Sequence, residues 1–351
     1  MDRAIDNVTA MVPALLFLCA GVPLASLLDR LGFFEALAIT IDRRFEHLPV
    51  AVLWWLAGAT TVVLNLDTTV VLLTPLYVRL ARRAGVDPLP LALIPLLLAS
   101  FASSVLPVSN LTTLIAVDRL DLSVSDVFVH LAPVSAVACI AGWLAYRRRH
   151  PTALPGGRSE PVDRRSVIVG GSVVTGALIG FVAGPSAGVA PWMVAVAADL
   201  VLIATTGWLP WREVPVATAA GVSAVAVAVA LVVPADVLTS TLARNGPAAL
   251  GGITLLSTAA AGLVNNLPAL LVALEGARSM SWGMWAWLAG VNTGAVVVPL
   301  GALANLLWWR LVRDEGIDLT VRGYLRMVTP IAVPAVLGAA AAMAATRLIA
   351  G

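Results

Sequence analysis

The amino-acid sequence predicts an all-α polytopic membrane protein, with about eight transmembrane helices and two re-entrant hairpins in an inverted-repeat arrangement. Of its 351 residues, 60% are hydrophobic and 12% are charged, which is about half the charged share of a soluble domain. Such a chain has too few polar side chains to cover a water-facing surface, so a soluble enzyme is excluded. The apolar runs and the positions of the arginines carry the rest of the prediction.

Eight apolar runs have the length of a transmembrane helix, which needs about 20 apolar residues. The first run follows Met1 without the regions that make up a signal peptide, so we expect it to be a retained span. The eight runs cover roughly 11–28, 89–117, 126–146, 166–184, 190–208, 214–233, 284–310 and 324–349.

Two further apolar runs, at about 49–80 and 249–277, carry polar residues at their centres. Residues 65–69 of the first read Asn-Leu-Asp-Thr-Thr, and residues 265–268 of the second read Asn-Asn-Leu-Pro. These interruptions set the two runs apart from ordinary spans, and the arginines test whether they cross the membrane.

All 22 basic residues are arginines, so their positions indicate the sidedness of each segment. The linker 147–165 holds six of them, and the positive-inside rule places it in the cytoplasm. If both interrupted runs crossed the membrane, Arg30 and the arginines of 310–326 would lie outside, against that rule. If both are re-entrant hairpins, 17 arginines lie inside. The hairpins are therefore predicted, with both termini external and five arginines outside (Arg3, Arg119, Arg244, Arg278 and Arg347).

Each hairpin is followed by a helix that small and polar residues interrupt. The breaks fall at 103–110 within the run 89–117, and at 292–301 within the run 284–310. Irregular backbone at membrane depth lies where protein or a water-filled cavity satisfies its polar groups. Paired interruptions in two halves of opposite orientation indicate a transporter with its site near the midplane.

The predicted domains follow from this pairing. The first repeat covers 1–146, the cytoplasmic linker covers 147–165, and the second repeat covers 166–351. The first repeat lacks two helices that the second has at 166–208.

Polar residues at the hairpin tips and helix breaks form the candidate binding site. Asp67 is the strongest candidate among them. A carboxylate at the bilayer centre has a high free energy of insertion, so it usually faces a cavity or a partner. It is a candidate to carry a coupling proton or hold a cation; alternatively it caps a helix. Asn265 and Asn266 at the second tip are candidates for substrate binding; alternatively Asn266 caps the helix that restarts there. The full set is Asn65, Asp67, Thr68, Ser109, Asn110, Thr112, Asn265, Asn266, Asn292, Thr293 and Asn305.

Asp199 lies in the middle of the run 190–208 and is a second candidate for proton coupling. The alternative is a buried structural acid that pairs with a neighbouring helix. The three histidines are far apart, the two cysteines lie in apolar runs, and no metalloprotease or phosphate-loop motif occurs. The sequence therefore predicts no enzymatic activity, no metal, no cofactor and no nucleic-acid partner. Seven tryptophans near predicted helix ends, Trp308 among them, are interpreted as interfacial anchors.

Several motifs resemble the arsenite-efflux permease (ArsB) family, within the wider superfamily of ion transporters. The similarity runs from about residue 15 to the end. The segments that carry it are Leu31-Gly32-Phe33-Phe34-Glu35, Asp67 to Pro75, Val108-Ser109-Asn110-Leu111, Val264 to Pro268, and Val298 to Trp308.

The resemblance implies efflux of trivalent arsenic or antimony, as a neutral hydroxide, against protons and by alternating access. It implies a bacterial cytoplasmic membrane and allows a homodimer. The sequence departs from the family pattern at four positions. The family has Asn, Gly, Asp and Lys where this chain has Leu66, Thr68, Asn292 and Val296. Those departures keep an anion carrier of dicarboxylate type, coupled to sodium or protons, and a sodium/proton antiporter as alternatives. A non-transporting membrane scaffold is the alternative from a different class.

Overall fold

The computed structural model describes residues 2–44, 47–156, 161–184, 187–234, 236–277 and 279–349. Arg158 and Arg278, two of the arginines used to predict sidedness, lie outside the described residues. The described chain is mostly helical, with a single two-stranded sheet, which confirms the prediction of an all-α polytopic membrane protein.

The described residues include sixteen α-helices and one two-stranded sheet. The first half holds α1 (Asp2–Arg30), α2 (Phe33–Arg44), β1 (His47–Pro49), α3 (Val50–Val63), α4 (Leu66–Arg83), α5 (Pro88–Phe101), α6 (Leu111–Leu120) and α7 (Val124–Tyr146). The linker contains β2 (Ala153–Pro155). The second half holds α8 (Arg164–Ala183), α9 (Pro191–Thr206), α10 (Val216–Val232), α11 (Thr239–Leu242), α12 (Pro247–Val264), α13 (Asn266–Gly276), α14 (Trp282–Thr293), α15 (Leu303–Asp314) and α16 (Val321–Ile349).

Four of these helices are long and apolar enough to cross a membrane by length and composition: α1 from Val8, α7, α12 and α16. Shorter apolar helices are α3, α5, α9, α10 and α13. The predicted runs 89–117 and 284–310 are each broken into two helices.

The same order of elements occurs twice along the chain. A helical hairpin, a helix, a 3-10 turn, a short helix and a long helix follow one another as α3–α7 and again as α12–α16. The two 3-10 turns, Pro107–Ser109 and Pro299–Gly301, both begin with proline, and α6 and α15 both begin two residues after their turn ends. Proline at a first helical position costs little, because its missing N–H would be unpaired there in any case.

The first helical hairpin (α3–α4) folds back at Asn65. The hydroxyls of Thr61 and Thr69 are 3.0 Å apart, and the Tyr77 hydroxyl donates to the Leu53 carbonyl at 2.6 Å. Both pairs are placed symmetrically about residue 65, so the two helices run antiparallel. The second helical hairpin (α12–α13) turns at Asn265, whose φ of 78° is left-handed, a conformation that asparagine tolerates better than most residues.

The open end of the first hairpin lies beside the Arg-rich linker. β1, which leads into α3, pairs antiparallel with β2 of the linker. At the end of α4, Arg79 contacts Asp29 at 2.8 Å, and Arg82 contacts Glu315 at 2.5 Å. The end of α1, the base of the hairpin, the linker and the α15–α16 loop therefore meet at one face of the protein.

The open end of the second hairpin lies at the opposite face. Thr239 donates to the Gly276 carbonyl at 3.5 Å, which joins α11 to the end of α13. Nearby, the ring of His130, in the first turns of α7, stacks on Trp285 with centroids 4.4 Å apart. The other end of α7, at Tyr146, packs on Trp54 near the start of α3. Because α7 runs from one face to the other, the two hairpins open in opposite directions.

The tryptophans correct one sequence expectation. Trp54 and Trp308 are fully buried and Trp287 is 2% exposed, so these three are core residues and not interfacial anchors. The Trp308 indole donates to the Ala92 carbonyl at 2.6 Å, across the two halves. This hydrogen bond satisfies the buried indole N–H and fastens α15 to α5.

Candidate functional site

The tip of the first hairpin is organised by Asn65. Its side-chain oxygen accepts a hydrogen bond from the Thr68 amide at 2.7 Å, which caps the start of α4. Asp67 lies one residue into the helix, half-buried, with no hydrogen bond or ion pair to any described residue. The interpretation of Asp67 as the helix cap is therefore wrong, because Asn65 does the capping. The Thr68 hydroxyl is buried and also lacks a partner among the described residues.

The tip of the second hairpin has a similar arrangement. The Asn265 side chain accepts from the Leu267 amide at 3.3 Å and donates to the Leu300 carbonyl at 2.8 Å. Asn265, and not Asn266, is thus the cap of α13. Asn266 is 4% exposed, and its side-chain amide makes no hydrogen bond within the described part of the chain.

The first helix break is held together by Asn110. Its side-chain oxygen accepts from the Thr112 amide and hydroxyl at 3.1 and 2.8 Å, and its nitrogen donates to the Ser103 hydroxyl at 3.0 Å. The neighbouring Ser109 donates to the Val62 carbonyl at 2.8 Å. Since Val62 lies in the last turn of α3, this bond ties the break to the tip of the first hairpin.

Asn292 joins the two halves of the protein. Its side-chain nitrogen donates to the hydroxyls of Ser104 and Thr113, both at 3.0 Å. Its oxygen lies within hydrogen-bond distance of the Thr112 hydroxyl, whose single proton is also within reach of the Asn110 oxygen. All four side chains are buried, so a buried, hydrogen-bonded polar cluster lies between α14 and the first helix break.

The second helix break is closed by Asn305. Its nitrogen donates to the carbonyls of Ala295 and Val298 at 2.8 and 3.0 Å, which satisfies backbone left free by the break. The oxygen of the same side chain is buried and lacks a partner among the residues described, as does the hydroxyl of Thr293. No side chain caps the start of α15, which follows Ala302.

These contacts bring most of the predicted site residues together. Each hairpin tip is hydrogen-bonded to the helix break of its own half, through Ser109 and Asn265, and Asn292 bridges the halves. Sequence reasoning missed Ser103, Ser104 and Thr113 as members of the cluster. The Ser103-Ser104 pair within the first break was the available signal for two of them.

Asp199 lies elsewhere, on α9, which packs against α1 and α8. It is 8% exposed, and its Oδ1 atom has no hydrogen-bond partner in the part of the chain that the structure describes. The expected pairing with a neighbouring helix is therefore not found.

The site contains no cationic side chain. The described arginines lie at or near helix ends and in loops, and none belongs to the hairpin tips or the helix breaks. The positive electrostatic contributions are the N-terminal ends of α4, α6, α13 and α15, of which the first three are capped by asparagine. No group of three or more metal-ligating side chains occurs in the described residues.

A cavity of about 540 Å³ lies between α1 and α6 near the face at which α7 begins. Leu111, the first residue of α6, lines the cavity and lies between Asn110 and Thr112 of the polar cluster. On the other face, a cavity of about 410 Å³ is lined by charged residues that include Asp29 and Glu315. The ion pairs of Glu315 with Arg79 and Arg82 join the α15–α16 loop to the end of α4 at that face.

Comparisons with known proteins agree with a membrane-transport site. A family model described as citrate transporter matches residues 4–295. An uncharacterized transporter of Mycobacterium tuberculosis (strain H37Rv) is 24% identical over 352 residues, covering 89% of this chain and 81% of the relative. The arsenical pump membrane protein of Escherichia coli is 24% identical over 363 residues, covering 93% of this chain and 84% of the relative.

Proposed function

This chain belongs to the citrate transporter family and is a membrane transporter, and from that premise we propose that it exports arsenite or antimonite by proton-coupled alternating access. The cargo is the neutral trihydroxide, and the binding groups are the hairpin tips and helix breaks. The similarity to an arsenical pump membrane protein supports this choice.

The unpaired polar atoms of the site carry the proposal. Buried polar groups in proteins are nearly always hydrogen-bonded, and an unpaired one costs about 1–3 kcal/mol. The hydroxyls of Thr68 and Thr293 and the side-chain oxygen of Asn305 are unpaired within the described residues. A trihydroxide both donates and accepts hydrogen bonds, so it can satisfy an amide oxygen and two hydroxyls at once.

The absence of cationic side chains among the predicted site residues favours a neutral cargo over a carboxylate. Proteins bind carboxylates most strongly through arginine, which forms paired, charge-assisted hydrogen bonds. A citrate or dicarboxylate in this site would depend on helix N-termini alone, and asparagine side chains already cap three of the four. An anion carrier is therefore the second candidate function.

Asp67 is proposed to carry the coupling proton. It is the one carboxyl group at the hairpin tips and helix breaks, and no described arginine or hydrogen-bond donor neutralises it. A half-buried carboxylate without a counter-charge is favoured to bind a proton. Sodium is a poorer candidate, because hard cations prefer several oxygen ligands around them.

Alternating access is supported by the two hairpins, which open toward opposite faces and follow the same order of elements. We propose that they belong to an inverted repeat in a bacterial cytoplasmic membrane. The Arg-rich linker would lie in the cytoplasm and both termini outside. Substrate would then enter from the face at which Glu315 lies and leave on the side of the cavity beside Leu111.

Complementation and vesicle uptake test this function together. The gene should restore growth on arsenite to a bacterium that lacks its own arsenite pump. Everted membrane vesicles from that strain should accumulate radiolabelled arsenite and not labelled citrate. Citrate uptake without arsenite uptake would identify an anion carrier. Uptake that depends on sodium would make sodium, and not the proton, the coupling ion. No uptake of either compound would favour a non-transporting scaffold.

A further inference from the structure

Asp199 is a buried carboxyl in the middle of α9, away from the hairpin tips. α9 has 16 residues, which places Asp199 about 10–12 Å from either end of the helix. The next two residues, Leu200 and Val201, are 63% and 50% exposed, whereas Asp199 is 8% exposed. Its side chain therefore lies on the face that α9 turns toward the protein.

The helices packed on α9 offer no counter-charge at this depth. α1 carries one titratable side chain between residues 8 and 28, Cys19, and α8 carries none after Arg165. Arg30, at the end of α1, stacks on Trp208 beyond the end of α9, nine residues along the chain from Asp199. Asp29 and Arg30 therefore lie at the membrane face, and so do Arg164 and Arg165 at the start of α8.

A carboxylate in such surroundings can be neutralised in only a few ways. An arginine partner is absent from the described surroundings, and a metal cation would need several oxygen ligands. The Oδ1 atom has no hydrogen-bonding neighbour among the described residues. A proton requires no ligand other than the carboxylate itself, and neutralisation by a proton is how isolated buried acids avoid the cost of desolvation.

We infer that Asp199 is a second proton-binding carboxyl of this transporter, held as the neutral acid at pH 7 on a helix that contains none of the proposed substrate-binding groups. The inference does not depend on which cargo is carried or on the role of Asp67. It assigns proton binding to α9, one of the four helices (α8 to α11) that lie between the linker and the second set of repeated elements.

Infrared spectroscopy of the full-length protein in lipid nanodiscs at pH 7 tests the inference directly. Subtracting the spectrum of Asp199→Asn from that of the wild type should leave the carbonyl band of one protonated carboxylic acid. The matched control is Asp163→Asn, an exposed acid at the start of α8, whose difference spectrum should show only the bands of an ionised carboxylate. Carboxylate bands in the Asp199 difference spectrum would overturn the inference.

Carbodiimide labelling gives a second, chemically independent readout. Dicyclohexylcarbodiimide adds to protonated carboxyls in apolar surroundings, and peptide mass spectrometry locates the adduct. We expect labelling of Asp199 at pH 7, its loss in Asp199→Asn, and no change when sodium chloride replaces choline chloride. Protection by sodium would identify a cation site instead. If arsenite transport fails while the infrared band persists, the proposed cargo is wrong and Asp199 still binds a proton.

Discussion

Asn292 donates its side-chain amide to the hydroxyl of Thr113 at 3.0 Å, and this bond joins α14 of the second half to α6 of the first. The same amide donates to the Ser104 hydroxyl, and its oxygen lies beside the Thr112 hydroxyl. One side chain thus fastens the two helix breaks to each other at the centre of the protein. A polar cluster of this kind is stable only when every member is paired.

Replacing Asn292 by alanine should therefore destabilise the protein as well as impair transport. The hydroxyls of Ser104, Thr112 and Thr113 would each lose a partner, and we expect a loss of about 1–3 kcal/mol in unfolding free energy. Thermal unfolding in detergent measures this effect. Asn245→Ala is the matched control, because Asn245 is exposed in a loop. Equal stability of both variants would contradict the role given to the cluster.

Substitutions of Asn65 and Asp67 should have different effects on the stability of the protein, because Asn65 caps α4 and Asp67 does not. Asn65→Ala removes the cap of α4 and should cost about 0.5–2 kcal/mol of stability, and Asn65→Ser should restore most of it. Asp67→Asn should leave the unfolding free energy within about 0.5 kcal/mol of the wild type, because Asp67 bonds to no described residue. A strong loss of stability in Asp67→Asn would show that Asp67 has a structural role.

The contact between Arg82 and Glu315 should be energetically coupled. Arg82 bonds both the carboxylate and the backbone carbonyl of Glu315, and the Glu315 side chain is 7% exposed. A double-mutant cycle with Arg82→Ala and Glu315→Ala should give a coupling energy of about 0.5–3 kcal/mol. The exposed pair Arg310–Asp314 serves as the control, for which about 0.3–0.5 kcal/mol is expected. Additive single mutants at residues 82 and 315 would contradict this coupling.

The N-terminal cap of α8 should become less stable at low pH. Asp163 is exposed, and its carboxylate accepts from the Ser166 hydroxyl at 2.6 Å and from the Arg165 amide at 2.9 Å. These bonds, the Ser166 bond foremost, lower the pKa of Asp163 below its ordinary value of 3.8. Stability from this cap is therefore complete above the ordinary pKa and is lost as the pH falls through the lowered one. Carboxyl NMR titration should show a higher pKa of Asp163 in Ser166→Ala, and an unchanged value would contradict the assignment.

The breaks in the chain could be predicted from the sequence, because polar residues punctuate apolar runs there. The segments 49–80 and 249–277 coincide with the helix pairs α3–α4 and α12–α13, and 3-10 turns at Pro107 and Pro299 interrupt the two following helices. Whether these pairs are re-entrant in the membrane stays a prediction. Glycine, proline and asparagine end a membrane helix for local reasons, so a single sequence contains the signal.

Partners distant in sequence could not be predicted in this way. Nothing near Ser104 or Thr113 indicates that Asn292 meets them, and serine and threonine are common in ordinary contacts between membrane helices. The burial of Trp308 depends on the Ala92 carbonyl, more than 200 residues away. The choice of Asn65 over Asp67 as the cap depends on where α4 begins to within two residues, which is finer than a polarity pattern can fix.

The central claim is that Asp67 couples proton movement to transport, and uptake into everted vesicles at an imposed pH gradient tests it most directly. Wild-type vesicles, acidic inside, should accumulate arsenite, and a protonophore should abolish the accumulation. Asp67→Asn, present in equal amount and with unchanged thermal stability, should lose the response to the gradient, while Asp163→Asn should keep it. Gradient-driven uptake by Asp67→Asn at the wild-type rate would contradict the account.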